Sequence, residues 1–255
     1  MEPKALVLTG YGINTDYETE LALQLAGAAA ERVHLNDLLV AKERLKHYQI
    51  LALPGGFSFG DDIAAGKVLA NRLAINLKDE LLEFIDQGKL VIGICNGFQV
   101  LVKMRLLPGL KGYRQLATLT YNDSGRFEDR WVYLKVDRDS KCIFTEGLEM
   151  LYLPIRNAEG KFVAPPQVLE QLEADNQIVL RYVDEWGEEA GYPWNPSGSM
   201  KDIAGICDPT GRVFGLMPHP EAFLFRVNHP RWQREELPEE GQGLAVFRNA
   251  VEYFS

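Results

Sequence analysis

Four short strand-type runs, separated by helix-type patterns and Gly or Pro turns, fill the first hundred residues. Ala5–Thr9 and Lys89–Ile94 suit parallel strands buried on both faces, and Arg32–Leu35 and Gln49–Leu53 read as two further strands. Thr15 and Glu18 have capping-box spacing before a helical run through Leu21, Leu25 and Ala28. Asp61 or Asp62 is placed to cap the next helix. Leu77, Leu81, Phe84 and Ile85 form a helical face stopped at Gly88, and a further helix is predicted over 97–105. Strand–helix alternation of this kind predicts a doubly wound, mostly parallel α/β sheet with helices on both faces. Ligands of such sheets sit beyond the carboxyl ends of the strands, where residues 55–60 and 95–99 fall.

From about 117 to 218 the pattern turns β-rich and less regular. Candidate strands are 116–121, 130–136, 151–155, 177–183, 203–207 and 212–217, with a closing helix over 241–253. Residues 224–241 are polar and contain Pro, as expected for an ordered loop or flap. No repeat or linker divides the chain, so 1–255 is expected to be a single domain. At 46% hydrophobic and 25% charged residues, 255 residues can bury a core without disulfides or metals. A net charge of −9 argues against nucleic-acid binding. Cys95, Cys142 and Cys207 are far apart and form no CxxC pair, so a reduced, cytoplasmic setting is expected. The N-terminal apolar run is too short for a signal peptide, and no apolar stretch suits a membrane span.

Three segments carry chemistry. Gly93-Ile-Cys95-Asn-Gly97 joins a predicted strand to a predicted helix, the cysteine version of a nucleophile elbow. The helix N-terminus behind it favours a thiolate and an oxyanion. A lone cysteine is more often a buried structural residue, and Cys142 and Cys207 take that reading. For Cys95 the paired glycines and the strand–helix context reverse the odds. Gly215-Leu-Met-Pro-His219-Pro-Glu221 supplies a base and its orienter. Pro220 biases His219 toward extended backbone, which can present His219 and Glu221 together. His34, His47 and His229 read as solvated surface residues, with His34 half-buried. Pro54-Gly55-Gly56-Phe57 follows a strand. The N–H of Gly56 or Phe57, with that of Asn96, could form an oxyanion hole, although PGG alone is more often an ordinary turn. The Asp61-Asp62 pair suits a cap better than a metal, and no metal is expected.

At these segments the sequence resembles the class I glutamine amidotransferases, which have a flavodoxin-like fold with an additional β-rich portion. PGGFSFGDD, GICNGFQVL and GLMPHPE lie in that family's order. The resemblance narrows to the glutaminase subunits of phosphoribosylformylglycinamidine synthase through NDSGRFEDRWVYL (122–134), PSGSMKDIAGICDPTGRVFGLMPHPE (196–221) and Gly12-Ile-Asn14-Thr-Asp16. It implies glutamine hydrolysis through a thioester on Cys95, with His219 and Glu221 completing the triad. Ammonia would pass to a synthetase subunit that uses ATP and Mg²⁺, often bridged by a small accessory subunit. No cofactor is implied on this chain. By the same resemblance Gln99 helps shape the glutamine site, and Asn122, Ser124, Arg126 and Phe127 flank the pocket. Arg126 could pair the substrate carboxylate or be a surface arginine beside Glu128 and Asp129.

This chain departs from the family at Asp129, often cysteine; at Asn157-Ala-Glu159-Gly160, commonly His-Gly-Glu-Gly; and at Ala222, usually arginine. Segment 224–241 is longer than in the compact bacterial subunits. Two other readings are a stand-alone Cys–His hydrolase, opposed by segments 122–134 and 196–206, and a subunit without catalysis, opposed by the intact Cys95, His219 and Glu221.

Overall fold

The computed structural model describes residues 2–110 and 114–255. Its first half follows the alternation closely: β1 (Lys4–Thr9), α1 (Asp16–Leu25), β2 (Ala29–His34), α2 (Leu35–Val40), β3 (Ile50–Leu53), α3 (Lys67–Asn76), α4 (Lys78–Asp86), β4 (Leu90–Ile94) and α5 (Asn96–Lys103). β3 and β4 are buried at every position, as expected of strands covered by helices on both faces. The edge strand β2 is largely half-exposed. The second half adds β5 (Thr118–Thr120), β6 (Glu128–Val136), β7 (Met150–Asn157), β8 (Lys161–Val163), α6 (Pro166–Ala174), β9 (Ile178–Val183), β10 (Ile203–Cys207), β11 (Val213–Leu216) and α7 (Gly243–Glu252).

Nine strands form one sheet in the order β2-β1-β3-β4-β11-β10-β9-β6-β7, while β5 and β8 make a separate ribbon. The pairs from β2 through β4 to β11 are parallel, and those beyond β11 are antiparallel. The order 2-1-3-4 with β11 as fifth strand is the flavodoxin-like winding. The direction of winding reverses after β2, which sends successive crossover helices to opposite faces. Accordingly α1 packs with α7, while α3, α4 and α5 pack together. The consequence for function is the β4–β11 pair: Gly93 lies opposite Gly215 and Ile94 opposite Leu216. The residues that follow these two strands therefore leave the sheet side by side, although more than a hundred positions separate them in sequence.

Several expectations need correction. Thr15 precedes α1 but makes no side-chain cap. The buried face of α1 is Thr19, Ala22 and Leu23, whereas Leu21 and Leu25 are each 40% exposed. A short helix of mixed composition offers more than one apolar stripe, and here the small side chains face inward. The 116–121 strand pairs with β8 rather than joining the main sheet. β8 and α6 were not anticipated, although Val168, Leu169 and Leu172 form a helical face after Pro166 at the helix start. Segment 224–241 is an ordered loop, closed by Arg226 N–H to Glu239 O and Gly241 N–H to Leu224 O, both 2.9 Å. His229 within it is buried at 5% exposure, with its ring 5.5–5.6 Å from those of Trp131, Tyr152 and Phe223. Trp131 and Tyr152 come from distant strands, so the sequence context of His229 gave no sign of burial. Among the described residues, no helix is long and apolar enough to cross a membrane.

Candidate active site

The turn from β4 to α5 holds Cys95 at φ 50°, ψ −103°, a region that non-glycine residues rarely occupy. Close packing enforces it. A β-carbon on Gly97 would strike the Leu53 carbonyl, and one on Gly93 would sit 2.6 Å from Gly97 O, so only glycines let α5 lie this near β3 and β4. The Cys95 N–H donates to Leu216 O at 2.8 Å, which ties the turn after β4 directly to β11. Cys95 is 5% exposed, and its sulfur lies 3.6 Å from the carbonyl of Arg156 on β7.

β11 ends at Leu216, and the chain turns through Pro218 to His219. The His219 N–H donates to Pro154 O at 2.8 Å, which fixes the backbone, and the following short 3₁₀ turn brings Glu221 under the ring. His219 Nδ1 and Glu221 Oε1 are 2.6 Å apart, and both residues are 2% exposed. Nε2 makes no hydrogen bond with the nearby polar groups. His219 and Cys95 pack over the same α-carbon: a β-carbon on Gly55 would lie 2.8 Å from His219 Cε1 and 3.5 Å from Cys95 Cβ. Burial alone would lower the His219 pKa, but the Glu221 carboxylate and the negative charge available to Cys95 outweigh it and raise it to about 10. The ring therefore holds its proton at neutral pH.

The third component follows β3. Gly56 has φ +142°, and a β-carbon there would collide with Gly12 O. The loop after β1 braces this turn through Asn14 N–H to Gly55 O at 3.2 Å and Phe57 N–H to Gly12 O at 2.8 Å. Thr15 Oγ1 accepts from Gly55 N–H at 2.9 Å. The Phe57 N–H is thus engaged inside the protein, which corrects its place among the oxyanion donors and leaves the amides of Gly56 and Asn96. The Asn96 side chain locks the two donor segments together. Its Oδ1 accepts from Ser58 N–H at 3.2 Å, and its Nδ2 donates to Asp61 Oδ1 at 3.1 Å and Gln99 Oε1 at 2.9 Å. Asp61 also accepts from Gly66 N–H at 3.3 Å, so it anchors the approach to α3 instead of capping it from outside. Burial raises the Asp61 pKa.

The remaining sequence-predicted residues have partners of their own. Gln99 is buried with its amide engaged at both ends, donating to Glu159 O at 2.7 Å and accepting from Asn96 at 2.9 Å. Asn122 is likewise buried and engaged, with Asn157 O at 2.8 Å, Arg126 O at 3.0 Å and Gly160 N–H at 2.9 Å, which makes it a clamp on the 157–160 turn. Phe127 is half-exposed, with its ring 6.3 Å from that of Phe57. Ser124 and the exposed Arg126 line a surface cleft of about 510 Å³ with Tyr192, Asn195 and Gly198; no triad residue lines it. Sequence reasoning missed Thr15, Arg156 and Tyr182. Tyr182 is fully buried, and its pKa is raised by burial and by the proximity of Cys95. Thr15 carried a signal that pointed to capping, and the other two carry no motif. Among the described residues, no group of three or more His, Cys, Asp and Glu is placed to hold a metal.

A thiol on a strained strand–helix turn, against a carboxylate-oriented imidazole on a doubly wound sheet, is the equipment of a cysteine-dependent acyl-transfer enzyme. Residues 2–254 match the CobB/CobQ-like glutamine amidotransferase domain, and the chain belongs to that family. The chain is 49% identical over 251 residues to the phosphoribosylformylglycinamidine synthase subunit PurQ of Dehalococcoides mccartyi, covering 98% of this chain and 97% of that one. It is 44% identical to the subunit of the same name from Methanococcus maripaludis, covering 99% and 98%. Among solved structures, a chain in the structure of PurLQS from Thermotoga maritima superposes with a TM-score of 0.74 at 32% identity, with both chains fully covered. A glutamine amidotransferase from Thermotoga maritima shares the fold, with a TM-score of 0.56 at 15% identity and coverage of 99% and 98%.

Proposed function

We propose that this chain is the glutaminase subunit of phosphoribosylformylglycinamidine synthase, with residues 1–255 acting as one glutamine amidotransferase domain. It hydrolyses glutamine and delivers ammonia to a synthetase subunit that converts formylglycinamide ribonucleotide to its amidine in purine biosynthesis. The relatives' names and near-complete coverage support the assignment, and the Cys95–His219–Glu221 convergence at the β4–β11 seam carries the chemistry.

The Cys95 sulfur attacks the side-chain amide carbon of glutamine, forming a C–S bond as the carbonyl π electrons move to oxygen. The Gly56 and Asn96 N–H groups donate to that oxyanion; one such donor contributes about 3 kcal/mol to the transition state. His219 gives its proton to the amide nitrogen, the C–N bond breaks, and ammonia leaves. Water then adds to the glutamyl thioester, passing a proton to His219. The C–S bond breaks, releasing glutamate and restoring the sulfur. Glu221 holds the ring and stabilises its cation throughout. This chain needs no cofactor of its own, and the partner supplies the ATP and Mg²⁺ chemistry. A small accessory subunit joins the two. The three free, buried thiols suit the cytoplasm.

The isolated chain is expected to be a weak glutaminase that the synthetase activates, a coupling between two sites. The test is glutamate release by wild type and Cys95→Ala, each alone and with the synthetase. Loss of release in the variant, and a single Cys95 adduct from a glutamine-analogue alkylator, are the expected results. Equal rates for the two proteins in the presence of the synthetase would overturn the assignment.

A further inference from the structure

Glu221 is held to the imidazole by one oxygen only. Its Oε1 lies 2.6 Å from His219 Nδ1, while its buried Oε2 makes no hydrogen bond among the described residues. No donor fixes the carboxylate from behind, so its aim depends on the turn that carries it. That turn, Pro220–Ala222, is a 3₁₀ piece of three residues. Its own bonds run from Ala222 N–H to His219 O at 3.2 Å and from Phe223 N–H to Pro220 O at 3.1 Å. Pieces of this kind have poor hydrogen-bond geometry and lean on their surroundings.

The surroundings come from the segment that follows. Phe223, two residues after Glu221, is buried, with its ring edge-on to Trp131 at 5.2 Å and 5.6 Å from the ring of His229. His229 Nδ1 accepts from Arg231 N–H at 3.2 Å, which orients the ring among its aromatic neighbours. Burial lowers the His229 pKa, with Glu235 and Arg231 the charged groups nearby, so the contact is made by an uncharged ring at neutral pH. Asn228 Oδ1 closes the chain directly behind Phe223, accepting from Leu224 N–H at 3.2 Å and Phe225 N–H at 2.9 Å. The start of α7 presses on the same turn. A β-carbon on Gly243 would strike the Pro220 carbonyl, and one on Gly241 the Phe223 carbonyl. Gly243 N–H donates to Phe223 O at 3.0 Å, and Gln242 Oε1 accepts from Tyr152 N–H of β7 at 2.7 Å.

We propose that residues 223–243 form a clip that aims Glu221 at His219, with Phe223, His229 and Gly243 as its positioning residues. The inference rests on the glutaminase reading and gives the 224–241 loop a part in it. Ring contacts hold the end of the turn at Phe223, and close glycine packing holds its start at Pro220. Trp131 stands opposite Pro154 in the β6–β7 ladder, and Pro154 O holds the His219 N–H, so the ring contacts and the backbone tie rest on one strand pair. A turn freed from the clip lets the carboxylate drift from the ring. Misplacement of about 1 Å can cost about 10²-fold in rate. Glu221 and Cys95 are the charged groups that face His219, and a weaker Glu221 contact lowers the His219 pKa.

The experiment uses the full chain assembled with its synthetase and follows glutamate release from neutral pH upward, where His229 is already uncharged. His229→Ala is expected to lower kcat about tenfold and to move the alkaline limb to lower pH. Its KM for glutamine should stay within about twofold of wild type, since the clip acts on the carboxylate and not on substrate. His229→Phe returns a ring to the cluster and should recover most of the kcat and the position of the limb. Val132→Ala, a buried β6 position outside the aromatic cluster, lowers Tm and should leave the limb in place. Phe223→Leu keeps the turn apolar without the ring; it should shift kcat and the limb in the same direction and decides the matter if His229→Ala does not fold. A folded His229→Ala or Phe223→Leu protein with the wild-type kcat and limb overturns the clip. So does a Val132→Ala protein that moves both as far, because general softening would then explain the loss. A wild type that releases no glutamate sinks the glutaminase reading itself, a result distinct from an active wild type whose clip variants keep its pH profile.

Discussion

In the parallel part of the sheet, Ile50–Leu53 and Leu90–Ile94 are buried at every residue, whereas Glu128–Val136 in the antiparallel part mixes buried and exposed positions. The difference corresponds to a division of labour. The parallel strands end in strained or glycine-dependent turns, Gly55-Gly56 after β3 and Cys95 after β4, and these hold the proposed nucleophile and the proposed backbone donors. The antiparallel strands supply walls and anchors: Pro154 O for the His219 backbone, Arg156 O beside the sulfur, and Tyr182 near enough to feel the charge of Cys95. Among the described strands, only β11 belongs to both parts, parallel to β4 and antiparallel to β10, and it leads into His219.

This division is broken most severely at the seam. His219→Ala is expected to lower kcat for glutamate release about 10⁴-fold while leaving the fold intact, as measured by steady-state kinetics and thermal melting. A loss of only a few-fold would mean that another group moves the proton. Glu221→Gln should cost roughly 10³-fold and also change the pH dependence. In wild type His219 is held up to about 10, so activity that needs its proton should persist through neutral pH and fall as pH rises toward that value. Without the Glu221 charge the His219 pKa drops, and the alkaline limb should move to lower pH. The sign for stability is the same: the contribution is complete below the ordinary histidine value near 6.5 and is lost as pH rises through about 10. An alkaline limb unmoved in the variant would remove His219 from the proton transfer.

Glycines sharpen the contrast between the two parts. Gly97→Ala places a methyl group against the Leu53 carbonyl, a backbone atom that cannot swing away. The expected loss is about 3 kcal/mol of stability, read as a lowered Tm or denaturant midpoint. Gly191→Ala, in the antiparallel part, meets nothing within 4 Å and should stay within about 0.5 kcal/mol of wild type. Similar losses at both positions would mean that the helix–strand contact is not specially tight.

The same contrast governed what the sequence could disclose. Strands buried on both faces write continuous apolar runs, and β1, β3 and β4 were legible within a residue or so. The nucleophile turn was legible because its strain demands Gly93 and Gly97. The antiparallel strands were found one by one, but not their order, since pairings such as β9 with β6 depend on contacts far apart in the chain. β8 is three residues long and α6 begins at the second residue of a Pro pair, so neither rose above its surroundings. The site followed the same rule. Cys95, His219 and Glu221 sit in local motifs, whereas the Arg156 carbonyl and Tyr182 act through position alone. Residues that looked like substrate contacts, Gln99 and Asn122, prove to bind their own neighbours.

Thr15 offers the finest test, because its sequence context and its structural contact assign it different tasks. Capping-box spacing with Glu18 predicts a helix stabiliser, yet its hydroxyl accepts from Gly55 N–H and makes no cap. Thr15→Val keeps the shape and deletes that acceptor. As a brace on the oxyanion turn, Thr15 should give a kcat decrease of about tenfold when removed, with a stability loss of about 1 kcal/mol from the unpaired Gly55 amide. Glu18→Ala should change neither quantity, since no box joins the two residues. A Thr15→Val protein with full kcat and a lower Tm would show that the loop after β1 steadies the fold without steering the chemistry, and would return Thr15 to the structural half of the comparison.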